Sequence, residues 1–93
     1  MADLPADYTL TEDGTYDFRF PTETKTAIIA AGGDFGGGSL AISWVDSAGN
    51  AVEYPDSPLT EGGGFEALIP NNAVSFKLDG STSASIKIII TPL

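Results

Sequence analysis

The sequence predicts an all-β protein: an antiparallel β-sandwich of about eight short strands, with the jelly roll among the arrangements open to it. Three observations carry this. Apolar and polar residues alternate with a period of two through most of the chain, as in "TYDFRF" and "AVSFKLD", the pattern of a strand with one buried face. Clusters of Gly, Pro, Asn, Asp and Ser punctuate these runs at short intervals, as turns do in sandwiches and barrels. No window sustains helical spacing over several turns, so the long crossovers that parallel neighbours require are not expected.

Taken in order, "MADLPAD" at 1–7 shows no strand pattern and carries Pro5. It is expected as a flexible arm ahead of one domain spanning 8–93. "DYTLT" opens the strands. "TYDFRF" sets Tyr16, Phe18 and Phe20 inward, against Thr15, Asp17 and Arg19. "TKTAIIAA" follows, a less clean match. "SLAISWV" sets Leu40, Ile42 and Trp44 against Ala41, Ser43 and Val45, which places Trp44 in the core. "NAVEY" and "GFEALI" are weaker strands. "AVSFKLD" turns Val74, Phe76 and Leu78 inward, and "SIKIIIT" does the same with Ile86, Ile88 and Ile90.

If each strand crosses the sandwich and the next returns, "EDG", "GGDFGGG", "PDSPLTEGGG" and "DGSTS" share one end. The short connections "PTE", "SAGN" and "PNN" share the other. The loop-rich end then gathers both glycine clusters and Glu12, Asp13, Asp34, Asp56, Glu61 and Asp79. The first cluster places five glycines among the seven positions 32–38. Glycine takes positive φ and lets backbones approach closely, which wide turns need. A sharper reading makes this end a contact surface with Phe35 as an aromatic anchor at the loop tip. The interaction residues expected are Asp34 and Phe35 in the first cluster, with Tyr54 and Leu59 ahead of the second.

Composition excludes more than it assigns. Thirteen acidic residues face four basic ones, Arg19, Lys25, Lys77 and Lys87, for a formal charge of −9. Nucleic acid and anionic membranes both call for a basic surface, so neither is an expected partner. No secretory leader or membrane-spanning run is legible, and the chain is expected to be soluble and made in a cytoplasm. With no His and no Cys, the commonest general base, the commonest transition-metal ligands and disulfides are absent. "DFG" is a chance match to a kinase motif, since the rest of a kinase is missing. "GGGS" lacks the ending and the helix of a phosphate-binding loop. "DSAGNAVE" at 46–53 lacks calcium-loop spacing and fits a hairpin turn better. A carboxylate pair at the loop-rich end would suit glycoside hydrolysis, but 93 residues leave little chain to build a sugar cleft. No catalysis, cofactor or metal is expected.

The block from "GGDFGGGSLAISWVDSAGN" through "VEYPDSPLTEGGGF" to "PNNAVSFKLDG" and "IKIIITPL" resembles the small acidic β proteins encoded by tailed bacteriophages. Phe35, Trp44–Asp46, Gly49–Asn50, Val52–Asp56, Leu59–Phe65, Pro70–Leu78 and Ile86–Ile90 carry the likeness. The resemblance implies a virion structural protein of the head decoration or cement type. Such a protein is made in the host cytoplasm and binds the outer capsid surface, often as a homotrimer, with the major capsid protein as partner. Two alternatives stand beside it: a tail- or fibre-associated carbohydrate-binding sandwich, and a small integral capsid or tail subunit.

Overall fold

The computed structural model describes residues 2–3 and 7–93. Nine strands follow one another: β1 (Ala2–Asp3), β2 (Asp7–Leu10), β3 (Gly14–Arg19), β4 (Thr26–Asp34), β5 (Ser39–Val45), β6 (Ala51–Glu53), β7 (Gly63–Leu68), β8 (Ala73–Asp79) and β9 (Ser85–Pro92). They form two sheets, ordered β1-β3-β8-β5-β6 and β2-β9-β4-β7. Apart from the parallel contact of β1 with β3, every pairing is antiparallel. The eight strands β2–β9 alternate between the sheets, except for the β5–β6 hairpin. This is the strand order of a jelly roll, two interlocked Greek keys. Most of the expected arm (residues 1 and 4–6) lies outside the described residues. Ala2–Asp3 form β1, and Asp7 begins β2.

Period-two alternation builds the interior. Phe18, Leu40, Ile42, Val74, Phe76 and Leu78 from one sheet meet Leu10, Ala27, Ile29, Ala67, Ile86 and Ile88 from the other in one core. β5 departs from simple alternation. Ser43 and Val45 are buried although they face away from the core, and Trp44, expected in the core, is only half-buried. Ser43 pairs with Ser75 across the β5–β8 ladder, and Asp17 pairs with Ser75 across β3–β8. The Ser75 hydroxyl donates to the Asp17 carboxylate at 2.6 Å.

The loop-rich end is assembled as the alternating connections require. Asp13, between β2 and β3, accepts hydrogen bonds from the amides of Gly80 (3.1 Å) and Ser81 (3.0 Å) and from the Ser81 hydroxyl. The β4–β5 loop lies against the same β8–β9 loop: the Thr82 amide donates to the Gly36 carbonyl at 2.9 Å. Gly36 has φ +60°, and a Cβ there would overlap the Thr82 carbonyl. Only glycine permits this approach, because both the left-handed conformation and the missing side chain are needed.

The opposite end is held by Asn72, another left-handed residue at φ 58°. Its side chain accepts from the Thr24 amide (2.8 Å) and donates to the Phe20 carbonyl (3.0 Å), while its own carbonyl accepts from the Phe20 amide (3.0 Å). The β5–β6 turn closes on Asp46, whose carboxylate accepts the amides of Ala48 (2.9 Å) and Asn50 (2.8 Å). The hairpin reading of 46–50 therefore holds.

Gly36→Ala forces the two loops apart and lowers unfolding free energy by about 1–3 kcal/mol, read from urea denaturation. Hydrogen bonds from the Ser81 hydroxyl and amide hold the Asp13 carboxyl below its ordinary 3.8, and those from the Asn50 amide and then Ala48 do the same for Asp46. The folded state thus keeps these groups ionised where the unfolded chain protonates them. Their contribution is full above pH 3.8 and is lost as the pH falls below it through the lowered folded values. The urea midpoint should drop through that window, and drop less steeply in Asp13→Asn and Asp46→Asn.

Candidate binding face and edge groove

The outer face of the β2-β9-β4-β7 sheet follows directly from register. On β4 the outward positions are Thr26, Ile28, Ala30 and Gly32; on β9 they are Lys87, Ile89 and Thr91; on β7 they are Gly64, Glu66 and Leu68. Ala30 pairs with Ile89 and with Gly64, Ile28 with Thr91 and with Glu66, and Thr26 with Leu68. Ile89, Ile28 and Leu68 are therefore diagonal neighbours, a stripe crossing three strands toward the free edge. They are 47%, 42% and 70% exposed. Leu93, 65% exposed, extends the stripe's corner, its amide donating to the Thr26 carbonyl at 3.0 Å. Around them lie Thr26, Ala30, Gly64 and Thr91, with Glu66 opposite Ile28. The charges of the face are Glu66 and an exposed Lys87–Asp7 pair at 3.5 Å.

The stripe ends beside a groove between the sheets. Trp44, Tyr54, Pro55, Asp56, Phe65, Glu66, Leu68 and Pro70 line a hollow of about 390 Å³. The Tyr54 and Phe65 rings pack at a centroid distance of 5.3 Å, tilted by 56°. The Tyr54 hydroxyl crosses from one sheet to the other, donating to the Leu68 carbonyl at 2.6 Å. Burial pushes the Tyr54 phenol up to about 12. A second hollow, of about 470 Å³, lies on the other side of Leu68 and Pro70, against Glu23, Thr24, Lys25 and Asn72.

The four residues expected to make contacts are not brought together as an exposed surface. Phe35 is 5% exposed and belongs to the core. Its loop folds over the sandwich end and tucks the ring inside, so it is not available as a tip anchor. Tyr54 is also buried, at 7%, because the chain after β6 keeps following β5. The Tyr54 amide donates to the Ile42 carbonyl (3.0 Å), and Leu59 exchanges two 2.8 Å hydrogen bonds with Leu40. Leu59 is half-buried against the core. Asp34 is exposed, but its carboxylate accepts the Gly36 amide at 2.8 Å, shaping its own loop. Among the described residues no group of three or more acidic side chains converges in a way that would hold a metal ion.

The exposed stripe had a signal in the sequence. Adjacent isoleucines in "AIIA" and three in "KIIIT" break strict alternation, and in a strand one of any two neighbours must face outward. No protein-family model matches the chain, and neither curated proteins nor solved structures gave a match.

Tyr54→Phe removes the bond to Leu68 and should lower stability by about 1 kcal/mol at neutral pH. The unfolded phenol ionises near 10.0 and the folded one near 12, so stability is full below pH 10.0 and is lost as the pH climbs toward 12. Denaturation midpoints across that range should fall less in Tyr54→Phe than in the parent.

Proposed function

We propose that the chain is a non-catalytic adhesion module that docks on a larger protein assembly, and specifically a head decoration protein of a tailed bacteriophage. The observation that carries the adhesion reading is the outer face of the β2-β9-β4-β7 sheet. Among the described residues, four of the five large exposed apolar side chains, Ile28, Leu68, Ile89 and Leu93, lie on that face or at its corner, with Val52 elsewhere. Contiguous exposed apolar surface of this kind marks contact surfaces. An exposed sheet face carrying isoleucines among threonine, alanine, glycine and one glutamate suits apposition to another broad protein surface, where a concave site would suit a small substrate.

The placement on a phage head rests on the sequence resemblance. On that reading many copies sit at symmetry-related positions on the shell, as trimers, and brace junctions of the major capsid protein. Each contact is modest, and capsid symmetry multiplies it.

Copy counting by mass spectrometry of purified particles tests the placement. Hundreds of copies per particle are expected; a handful would move the protein to the tail, and none would end the virion reading. The double variant Ile28→Thr/Ile89→Thr keeps β-branching, and with it the strands, while removing the apolar contact. Occupancy on particles should fall at least about tenfold, and undiminished occupancy would remove this face from the docking surface.

A further inference from the structure

The β4–β7 ladder determines which backbone groups of β7 are free. The Ile69 amide donates to the Lys25 carbonyl at 2.8 Å. In an antiparallel pair, hydrogen-bonded and non-hydrogen-bonded positions alternate. With Ala67 opposite Ala27, Phe65 opposite Ile29 and Gly63 opposite Ala31, those residues exchange bonds with β4. Gly64, Glu66 and Leu68 turn their amides and carbonyls to the open edge. Tyr54 occupies the Leu68 carbonyl. Among the described residues no other strand pairs with β7, so the amides and carbonyls of Gly64 and Glu66 present a short template for another strand. The facing edge of the other sheet is the three-residue β6, beyond which the chain bonds along β5 as far as Leu59.

We infer that this free edge and the adjoining groove dock an extended basic segment of a partner protein. The segment adds to β7 as a further strand and lays an arginine side chain against the half-buried rings of Trp44 and Phe65, within reach of the Asp56 and Glu66 carboxylates. Strand addition supplies main-chain hydrogen bonds, and the groove supplies selectivity. The ionised side chains of the groove lining are both acidic. A guanidinium satisfies carboxylates and aromatic faces together. Charge also argues against a second copy of this chain. Edge-to-edge pairing of two β7 strands would bring the Glu66 and Asp56 carboxylates of two bodies of formal charge −9 together. Lys25 lies in the other hollow, beyond Leu68. A glycan would use the rings but would leave the strand edge unmet.

This inference rests on the adhesion reading only in taking the partner to be protein, and it is tested without particles. The probes are a blocked heptapeptide of alternating threonine and valine with a central arginine, and the same peptide with neutral citrulline in its place. Trp44 is the single tryptophan, so its fluorescence reports the groove, and amide shifts of Gly64 and Glu66 report the edge. The arginine peptide should bind about fivefold more tightly than its citrulline counterpart. Glu66→Gln and Asp56→Asn, both at exposed positions, should erase that preference while the folded spectrum is kept. Equal binding of the two peptides, binding of neither, or shifts confined to other strands would overturn the proposal. A Trp44 response to soluble oligosaccharides without one to the arginine peptide would assign the groove to glycans and overturn it equally. Copy number on particles is unaffected by any of these outcomes, so the two readings fail separately.

Discussion

The contact of the Gly36 backbone with Thr82 sets how the sandwich can be closed, and the rest of the molecule is organised around closure. Two packed sheets leave two open ends and two open sides, and a 93-residue chain without cysteine has to seal them with local contacts. At one end, the near-overlap of two loop backbones draws the β4–β5 loop inward and seats Phe35 in the core. At the other, Asn72 ties the β3–β4 and β7–β8 connections together through three hydrogen bonds. Along the β2–β3 side, Tyr8 packs on Phe18 and Tyr16 at centroid distances of 5.0 and 6.0 Å. The β6–β7 side is closed incompletely. There Tyr54 bridges the sheets, but Trp44 and Phe65 are half-buried and a groove remains.

The acidic residues divide according to the same geometry. Asp13, Asp34 and Asp46 accept backbone amides within or between turns, where each carboxylate meets donors that a loop would otherwise leave to water. They hold turns and are spread among separate loops. Asp56 and Glu66 lie by contrast on the incompletely closed side. Of the acids expected at the loop-rich end, Asp13 and Asp34 thus hold loops, while Asp56 lies in the groove.

Much of the fold was legible because a strand's two faces have different solvents. The inward residues Phe18 and Phe20, Leu40 and Ile42, Val74, Phe76 and Leu78, and Ile86, Ile88 and Ile90 are buried as their spacing requires. Three of the connections expected at the loop-rich end do meet there, since Asp13 meets Ser81 and Gly36 meets Thr82, whereas the chain from Tyr54 to Leu59 runs along β5. What spacing did not reveal was the path of loops. A phenylalanine flanked by glycines reads as a tip, yet glycine's freedom let that loop fold back and bury it. Tyr54, next to Pro55, reads as a strand end on the rim, but its amide and hydroxyl bond to both sheets. The exposed stripe escaped because each isoleucine was assigned to its own strand. Only the ladder registers place Ile28, Leu68 and Ile89 side by side.

A free strand edge beside an apolar face is a hazard for any sandwich, since it invites copies of the same chain to pair. Here the features that favour pairing and those that oppose it occupy the same few residues. Gly64 gives a partner strand close access to the backbone, while Glu66, next in the outward row, places a charge beside every approach. Two like charges about 4 Å apart repel by roughly 1 kcal/mol even in water, and the net charge of −9 adds to this at longer range. The penalty falls on another copy of the chain and reverses for a cation. An edge left open under these charges is closed to its own kind and selective for a basic strand. The groove then adds aromatic surface that an aliphatic intruder of the same shape would use less well.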